Sequence, residues 1–272
     1  MNADPPNPQP RRWSAPRKVF FALAGLWILI GVYARWVEPY WIEVTHHRVV
    51  APVSPRIRIA HLSDLHTREF NRRERAVLAI LEKEKPDLIL VSGDTLSGIG
   101  TYDDVLELLS HLRAPLGVYV VRGNWENSRP AENERQLYTL ARVHFLLNEA
   151  RRVRDNLWIA GFDDATWGRP NLPSALAAIP PESYVIGLFH SPVLFDRLAG
   201  KVPLAFAGHT HGGQVRVPFY GPVWLPPGTG EYLEGWYEKN GSRMYISRGV
   251  GTSVLHVRFN CRPEVAIITL GE

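Results

Sequence analysis

The stretch Val202-Pro203-Leu204-Ala205-Phe206-Ala207-Gly208-His209-Thr210-His211-Gly212-Gly213-Gln214 runs from an apolar segment into two histidines set two residues apart between glycines. Imidazole is the commonest side-chain metal ligand, and glycine lets a backbone turn tightly enough to aim both rings into one cleft. A His-x-His pair alone is explained as well by surface or core histidines as by a metal, so its meaning rests on partners elsewhere in the chain. Strand ends are where α/β folds place their chemistry, and the search for partners goes there.

From Arg56 onward strand-like and helix-like segments alternate. Ile57–Leu62 reads as a short buried strand, and Arg72–Glu84 as a helix with Ala76, Val77, Ile80 and Leu81 on one face, stopped at Lys85-Pro86. Residues 87–92 read as a second strand, 104–112 as a second helix and 116–121 as a third strand. This β-α-β-α-β rhythm is that of a parallel sheet. Beyond residue 150 the strands Leu157–Gly161, 184–189 and 203–207 alternate with short helical pieces near 174–178 and 193–198. After Gln214 helical patterns stop. Strands are expected at 232–237 and 243–247 around the Asn240-Gly241 hairpin signal, and Glu264–Leu270 closes the chain. The C-terminal half is thus expected to be a second, more antiparallel sheet sharing one core with the first.

The remaining sequence bounds the function classes. The 272 residues are 45% hydrophobic and 21% charged, with a net charge of +4, which is ordinary globular usage and implies no nucleic-acid partner. Cys261 is the one cysteine, excluding an internal disulfide and a cysteine-based zinc site. Residues 1–18 read as a disordered basic leader, proline-rich at the start and carrying Arg11, Arg12, Arg17 and Lys18; Arg11-Arg12 fits a twin-arginine signal poorly. Residues 19–34 contain no charge, and the segment 19–37 reads as a membrane anchor or signal segment. The readings are an uncleaved anchor, a signal peptide cut after Val32-Tyr33-Ala34, and an interfacial or buried helix. Basic residues ahead of it place the N-terminus in the cytoplasm and the following domain, residues 42–272, outside. Trp36, Tyr40 and Trp41 suit an interfacial belt or ordinary packing.

At the strand ends stand Asp64-Leu65-His66, Gly93-Asp94, Gly123-Asn124-Trp125-Glu126, His190, and His209 with His211. Each has a plain structural explanation as a turn, cap or satisfied histidine. Together they form a set of carboxylates, an amide oxygen and imidazoles that suits a pair of divalent cations such as manganese, iron, zinc or cobalt. In order and spacing they resemble the D-x-H, G-D, G-N-H-[DE], H and G-H-x-H signature of the calcineurin-like metallophosphoesterases. The run from Ser247-Arg248-Gly249 through Arg258-Phe259-Asn260 to Pro263-Glu264 resembles the membrane-associated bacterial branch of YaeI-like, YkuE-like and LpxG-type enzymes. The resemblance implies a four-layer α/β/β/α sandwich of two mixed sheets. It also implies a first cation, manganese by preference, on Asp64, His66, Asp94 and His211, and a second on Asp94, Asn124, His190 and His209. Asp94, Asn124 and His209 would serve the chemistry most directly, in hydrolysis of a phosphodiester or pyrophosphate by metal-activated water.

One position departs from that signature. The histidine expected after Gly-Asn is Trp125, whose indole cannot exchange a proton near neutral pH. Either His61, His144 or a metal-held water protonates the leaving group, or the leaving group scarcely needs a proton, as in a pyrophosphate. Arg122, Arg129 and Arg248 lie near the motifs and are candidates for phosphate contacts, with Trp125 a candidate substrate contact. The aromatic, proline-rich stretch 217–230 is either a lipid-facing loop beside the site or a buried loop of the second sheet. The expected partners are a phosphate ester, with UDP-2,3-diacylglucosamine of the lipid A pathway the most specific possibility, and the bacterial inner membrane. A broad-specificity envelope phosphodiesterase or phosphatase, and a catalytically silent metal-binding adaptor, are the alternatives.

Overall fold

The computed structural model describes residues 15–272; Arg11, Arg12 and the proline-rich start of the chain lie outside the described residues. The first sheet contains β1 (Glu43–Val49), β2 (Ile57–Leu62), β3 (Leu88–Val91), β4 (Val118–Val120) and β5 (His144–Phe145), with the final strand β14 (Glu264–Leu270) inserted between β1 and β2. The second contains β6 (Glu149–Arg154), β7 (Leu157–Gly161), β8 (Tyr184–Leu188), β9 (Leu204–Ala207), β12 (Gly235–Lys239) and β13 (Ser242–Ile246), in the order β12-β13-β9-β8-β7-β6. A short ribbon of β10 (Arg216–Val217) and β11 (Gly221–Pro222) stands apart.

Side-chain alternation sorts each strand between layers. Leu88 and Leu90 of β3 face the second sheet, while Ile89 and Val91 face helices α2 (Arg72–Glu84), α3 (Tyr102–His111) and α5 (Glu134–Leu140). In β9, Leu204 and Phe206 face the first sheet, and Ala205 and Ala207 face α6 (Leu172–Leu176) and α7 (Phe195–Leu198). Three apolar layers between four structural layers give the expected α/β/β/α sandwich. Local signals explain the element ends. Asn71 and Glu74 form a reciprocal capping box at the start of α2, and left-handed Lys85 ends it before Pro86. Asn240 and Gly241, both at positive φ (50° and 77°), make the two-residue turn between β12 and β13.

The second sheet is less antiparallel than the sequence pattern implies. Its middle strands β13, β9, β8 and β7 are mutually parallel, and only the edge pairs β12–β13 and β6–β7 are antiparallel. The helical pieces after β7 and β8 carry the chain back so that each next strand runs the same way. The final strand does not join this sheet. Buried on both faces, β14 pairs parallel to β1 and antiparallel to β2. Strand β1 carries little apolar alternation and takes its order from that pairing.

At the N-terminus α1 (Ala15–Val32) has no buried residue and takes in residues 15–18 of the expected leader. It continues through a π-turn, Tyr33–Val37, and a 3₁₀ turn, Glu38–Tyr40. The span Ala15–Tyr40 is long and apolar enough to cross a membrane by length and composition. Trp36 and Trp41 at its base are exposed, whereas Tyr40 packs on His256.

Candidate metal centre

The sheets deliver their C-terminal strand ends to one place. Asp64 and His66 leave β2, Asp94 leaves β3, and Asn124 opens α4 (Asn124–Ser128) after β4; His190 leaves β8, and His209 and His211 leave β9. The backbone there is bent to the task. Asp64, His66, Asp94, His209 and His211 all have positive φ, between 43° and 73°, a region costing L-residues about 1–2 kcal/mol each. Such strain persists where the surrounding structure enforces it, typically at functional sites. Gly208 is required by a close approach: a Cβ there would lie 1.7 Å from the Ser63 hydroxyl and 2.5 Å from Asp64 Oδ2.

Two trios form, Asp64 with His66 and His211, and Asp94 with His190 and His209, the donor atoms within each lying inside 4.8 Å of one another. The Nε2 atoms of His66 and His211 face each other at 3.1 Å, and His211 Nε2 lies 3.3 Å from Asp64 Oδ1. Asp94 Oδ2 stands between the trios, 3.6 Å from His66 Nε2 and 3.2 Å from His190 Nε2. Asn124 Oδ1 is 3.2 Å from His190 Nε2, and His209 Nδ1 is 3.1 Å from the same atom. All seven residues read from the sequence as ligands therefore converge.

Outer contacts fix which ring atom faces inward. His190 Nδ1 donates to the Ser92 carbonyl (2.7 Å) and His209 Nε2 to the Pro227 carbonyl (2.7 Å). This aims His190 Nε2 and His209 Nδ1 at the centre. Asp64 takes both carboxylate oxygens to the His209 amide (3.1 and 3.0 Å) and one to Ser63 (2.6 Å). The Trp125 amide donates to Asp94 Oδ1 at 2.9 Å.

With protein charges alone this pocket opposes the ionised forms of Asp94, His66, His209 and His211. Burial pushes the Asp94 carboxyl up to about 7 and His209 down to about 4. His66 and His211 are driven well below the ordinary imidazole value, chiefly by burial and then by neighbouring imidazoles and arginines. Burial works against a charged His190 too, but Asp94, Asp64 and Asp164 outweigh it and raise its pKa. Among the described residues no lysine or arginine pairs with Asp64 or Asp94. Buried carboxylates with no lysine or arginine to balance them, beside imidazoles that turn ring nitrogens to the same point, form a donor set that divalent cations complete.

Two buried acids to which the sequence reading gave no role of their own hold these ligands in place. Glu126 accepts from the amides of Asp94 (3.1 Å), Leu96 (2.8 Å) and Gly123 (2.8 Å) and from the Thr95 hydroxyl (2.8 Å), so it clamps the Asp94 loop to the Asn124 loop. Asp164 accepts from Ser191, next to His190, and from Thr166 and the Trp167 amide. Glu126 was legible as part of the Gly-Asn-x-Glu run, whereas Asp164 carried no signal beyond following a strand. Arg258, fully buried, donates to the carbonyls of Arg248, Gly249 and Gly251 and pins the loop whose Gly251 amide meets the Asp64 carbonyl at 2.7 Å.

Three groups of expected contacts fall elsewhere. Arg122 is tied to Glu134 and Asn127, and Arg248 to Glu43 and Glu264, so neither guanidinium is presented to a substrate. Arg129 donates to the carbonyls of Ser97, Gly98 and Gly100. His61 is fully buried, bonded to Ser92, and lowered by burial to about 3, while His144 sits on β5 against Tyr119; neither can hand a proton to a leaving group. Trp125 does line the cleft: its ring meets His66 edge-on at 5.9 Å and shares a small cavity with His66, Arg68 and Ile99. It displaces no ligand. Arg68, two residues beyond His66, forms no ion pair among the described residues and is the arginine that reaches this cavity.

The comparisons agree with this arrangement. The model of the family described as calcineurin-like phosphoesterase matches residues 57–213. The chain is 31% identical to the uncharacterized metallophosphoesterase YkuE of Bacillus subtilis (strain 168), covering 88% of each chain. It is 29% identical to phosphodiesterase YaeI of Escherichia coli (strain K12), over 88% of this chain and 92% of that one. It is 22% identical to UDP-2,3-diacylglucosamine pyrophosphatase LpxG of Chlamydia trachomatis, over 89% and 93%.

Proposed function

The chain belongs to the calcineurin-like phosphoesterase family and is a phosphoric ester hydrolase, and from that premise we propose that it is a membrane-anchored dinuclear enzyme cleaving a phosphodiester or pyrophosphate in a membrane-borne substrate. The observation that carries the reading is the pair of buried trios with the Asp94 carboxylate between them. Asp64, His66, Asp94 and His211 hold one cation, and Asp94, Asn124, His190 and His209 the other, with manganese the first choice. When bound, two such ions supply an acidified water and positive charge for the phosphoryl oxygens.

The chain's own residues set the rest. Arg68 offers the uncommitted guanidinium for a phosphate oxygen. Trp125 closes the cleft without a transferable proton, and His61 and His144 are out of reach, so substrates with good leaving groups are favoured. A phosphate leaving from a pyrophosphate is such a group. Together with the LpxG relative this makes UDP-2,3-diacylglucosamine the most specific candidate. The span Ala15–Tyr40 is the anchor and residues 42–272 the catalytic domain. Basic residues ahead of the span favour an outward-facing domain, and that orientation favours a second reading, an envelope phosphodiesterase of broad specificity, as YaeI's name also does.

The test is turnover by the manganese-loaded full chain of UDP-2,3-diacylglucosamine against bis(p-nitrophenyl) phosphate, with Asp94→Asn as control. UMP release lost in the control supports the pyrophosphatase and requires a cytoplasmic face. Turnover of the aryl diester alone selects the second reading.

A further inference from the structure

An apolar groove of about 550 Å³ leads away from the metal centre, with His211 and Thr210 at its inner end and Val215, Val223, Trp224, Leu255 and Val257 along its walls. The one amide side chain in the lining is already used: Gln214 donates to the carbonyls of Ser253 (3.2 Å) and Leu255 (3.1 Å) and accepts from the Ser253 amide (2.9 Å). An occupying peptide would bring backbone N–H and C=O groups that need partners, and these walls offer few. An alkyl chain needs none.

The rim points to the same class of ligand. Val254 is 74% exposed yet holds φ at 60°, and Phe219, wholly exposed, holds 65°. A β-branched residue in the left-handed region is a backbone outlier, and neither burial nor conformational preference accounts for bulky apolar side chains at these tips. Val223, Trp224 and Leu255 extend the exposed apolar rim, and Phe219 and Tyr220 stand exposed at the tip of the β10–β11 ribbon that leads into Val223.

The groove is also joined to the apolar helix. The amide of Arg258 donates to the Ala34 carbonyl at 2.9 Å, and Tyr33 meets Phe259 edge-on at 6.5 Å. The amides of Asn260 and Cys261 donate to the buried Glu38 carboxylate. The Phe259 carbonyl in turn accepts from the Arg216 amide (2.9 Å) beside the opposite wall, and the Cys261 thiol donates to the His211 carbonyl (3.2 Å). Helix exit, groove and metal ligand are therefore stitched together within a few residues, which keeps the groove beside the foot of the apolar helix.

We propose that this groove is an acyl-chain site, in which one alkyl chain of a membrane lipid lies between the 223–226 and 253–257 walls while its phosphate lies at the His211 end. The assignment rests on the membrane-phosphoesterase reading and adds to it the residues that select the lipid.

The test uses the full chain in phosphatidylcholine nanodiscs and a series of p-nitrophenyl alkyl phosphodiesters, butyl to hexadecyl, with one scissile bond throughout. Wild-type kcat/KM is expected to rise about fourfold per methylene and then level off once the chain outgrows the groove. In Val254→Glu and Leu255→Glu, both at exposed positions, the hexadecyl-to-butyl ratio falls toward that set by partition into the disc alone. A diazirine-tailed diester photolysed on metal-stripped protein should label residues 223–226 or 253–257. Turnover with a chain-length ratio equal in wild type and both variants overturns the groove and leaves the phosphoesterase reading standing. Absence of turnover with any ester sinks the phosphoesterase reading, and the label then decides the groove separately: label confined to α1 or scattered over the surface overturns it.

Discussion

The two sheets meet at the metal centre with different chemistry. The first contributes Asp64, Asp94 and Asn124, every oxygen donor of the set, along with His66; the second contributes only the imidazoles of His190, His209 and His211. Negative charge thus enters from one half of the sandwich and neutral nitrogen from the other. Each trio draws on both, Asp64 and His66 reaching across to His211, and Asp94 to His190 and His209. A cation at either position ties the two sheets across their shared apolar layer, so metal binding and sheet packing become one linked equilibrium.

The harshest way to break this comparison is to neutralise the carboxylate that stands between the trios. Asp94→Asn is expected to cut turnover by about a thousandfold, the scale of losing a preorganised charge from an active site, as read by steady-state kinetics at saturating manganese. An effect below tenfold would mean the first sheet's charge is not shared. Stripping the cations comes next. If they bridge the sheets, chelation should lower Tm by about 5–10 °C, corresponding to roughly 2.7 kcal/mol for a ligand held at a hundred times its Kd, with full recovery on adding manganese. An unchanged melting curve would show that the sheets cohere independently of the metals.

Supporting acids sharpen the contrast between the halves. Glu126→Gln loosens the first-sheet loop that carries Asp94 and borders Asn124, whereas Asp164→Asn loosens only the Ser191 neighbour of His190. Each should weaken metal binding by about 10–100-fold, but calorimetric titration should show both sites affected in the first variant and one in the second.

The smallest effect lies away from the metals, where Glu264 of β14 receives Thr45, Tyr245 and Arg248. Burial raises its pKa, but the Arg248 guanidinium and these hydrogen bonds outweigh burial and hold it below the usual 4.5. A depressed carboxyl contributes stability that is full above its unfolded value and lost as pH falls through its folded one. Melting curves from pH 7 to 3 should therefore drop at the acid end, and Glu264→Gln should flatten that limb while lowering Tm near neutrality.

What the sequence disclosed follows the same physical lines. Strands β2, β7 and β14 and helix α2 were legible to the residue, because buried runs bounded by caps and turns depend on their own side chains. Strand β1 was not, since Glu43, Thr45 and His47 acquire order only from β14, more than two hundred residues away. Nor was the sheet to which β14 belongs, because an apolar strand buried on both faces fits either. The ligands were legible because each sits where a strand ends. Arg248 misled because a partner comes from afar: Glu43 meets it across 205 positions, a pairing no local pattern announces; Arg129 is spent on three loop carbonyls and Arg122 on Glu134. His61 misled likewise, a motif neighbour whose strand turns it toward Phe206 and Tyr245 between the sheets.

The most direct test of the central claim is titration of the metal-stripped full chain with manganese while metal content and bis(p-nitrophenyl) phosphate turnover are followed together. Two ions per chain are expected, with turnover appearing as the second is filled, and loss of that second equivalent in Asp94→Asn. One ion or none at full activity, or turnover that persists in the stripped protein, would contradict a centre shared between the two sheets.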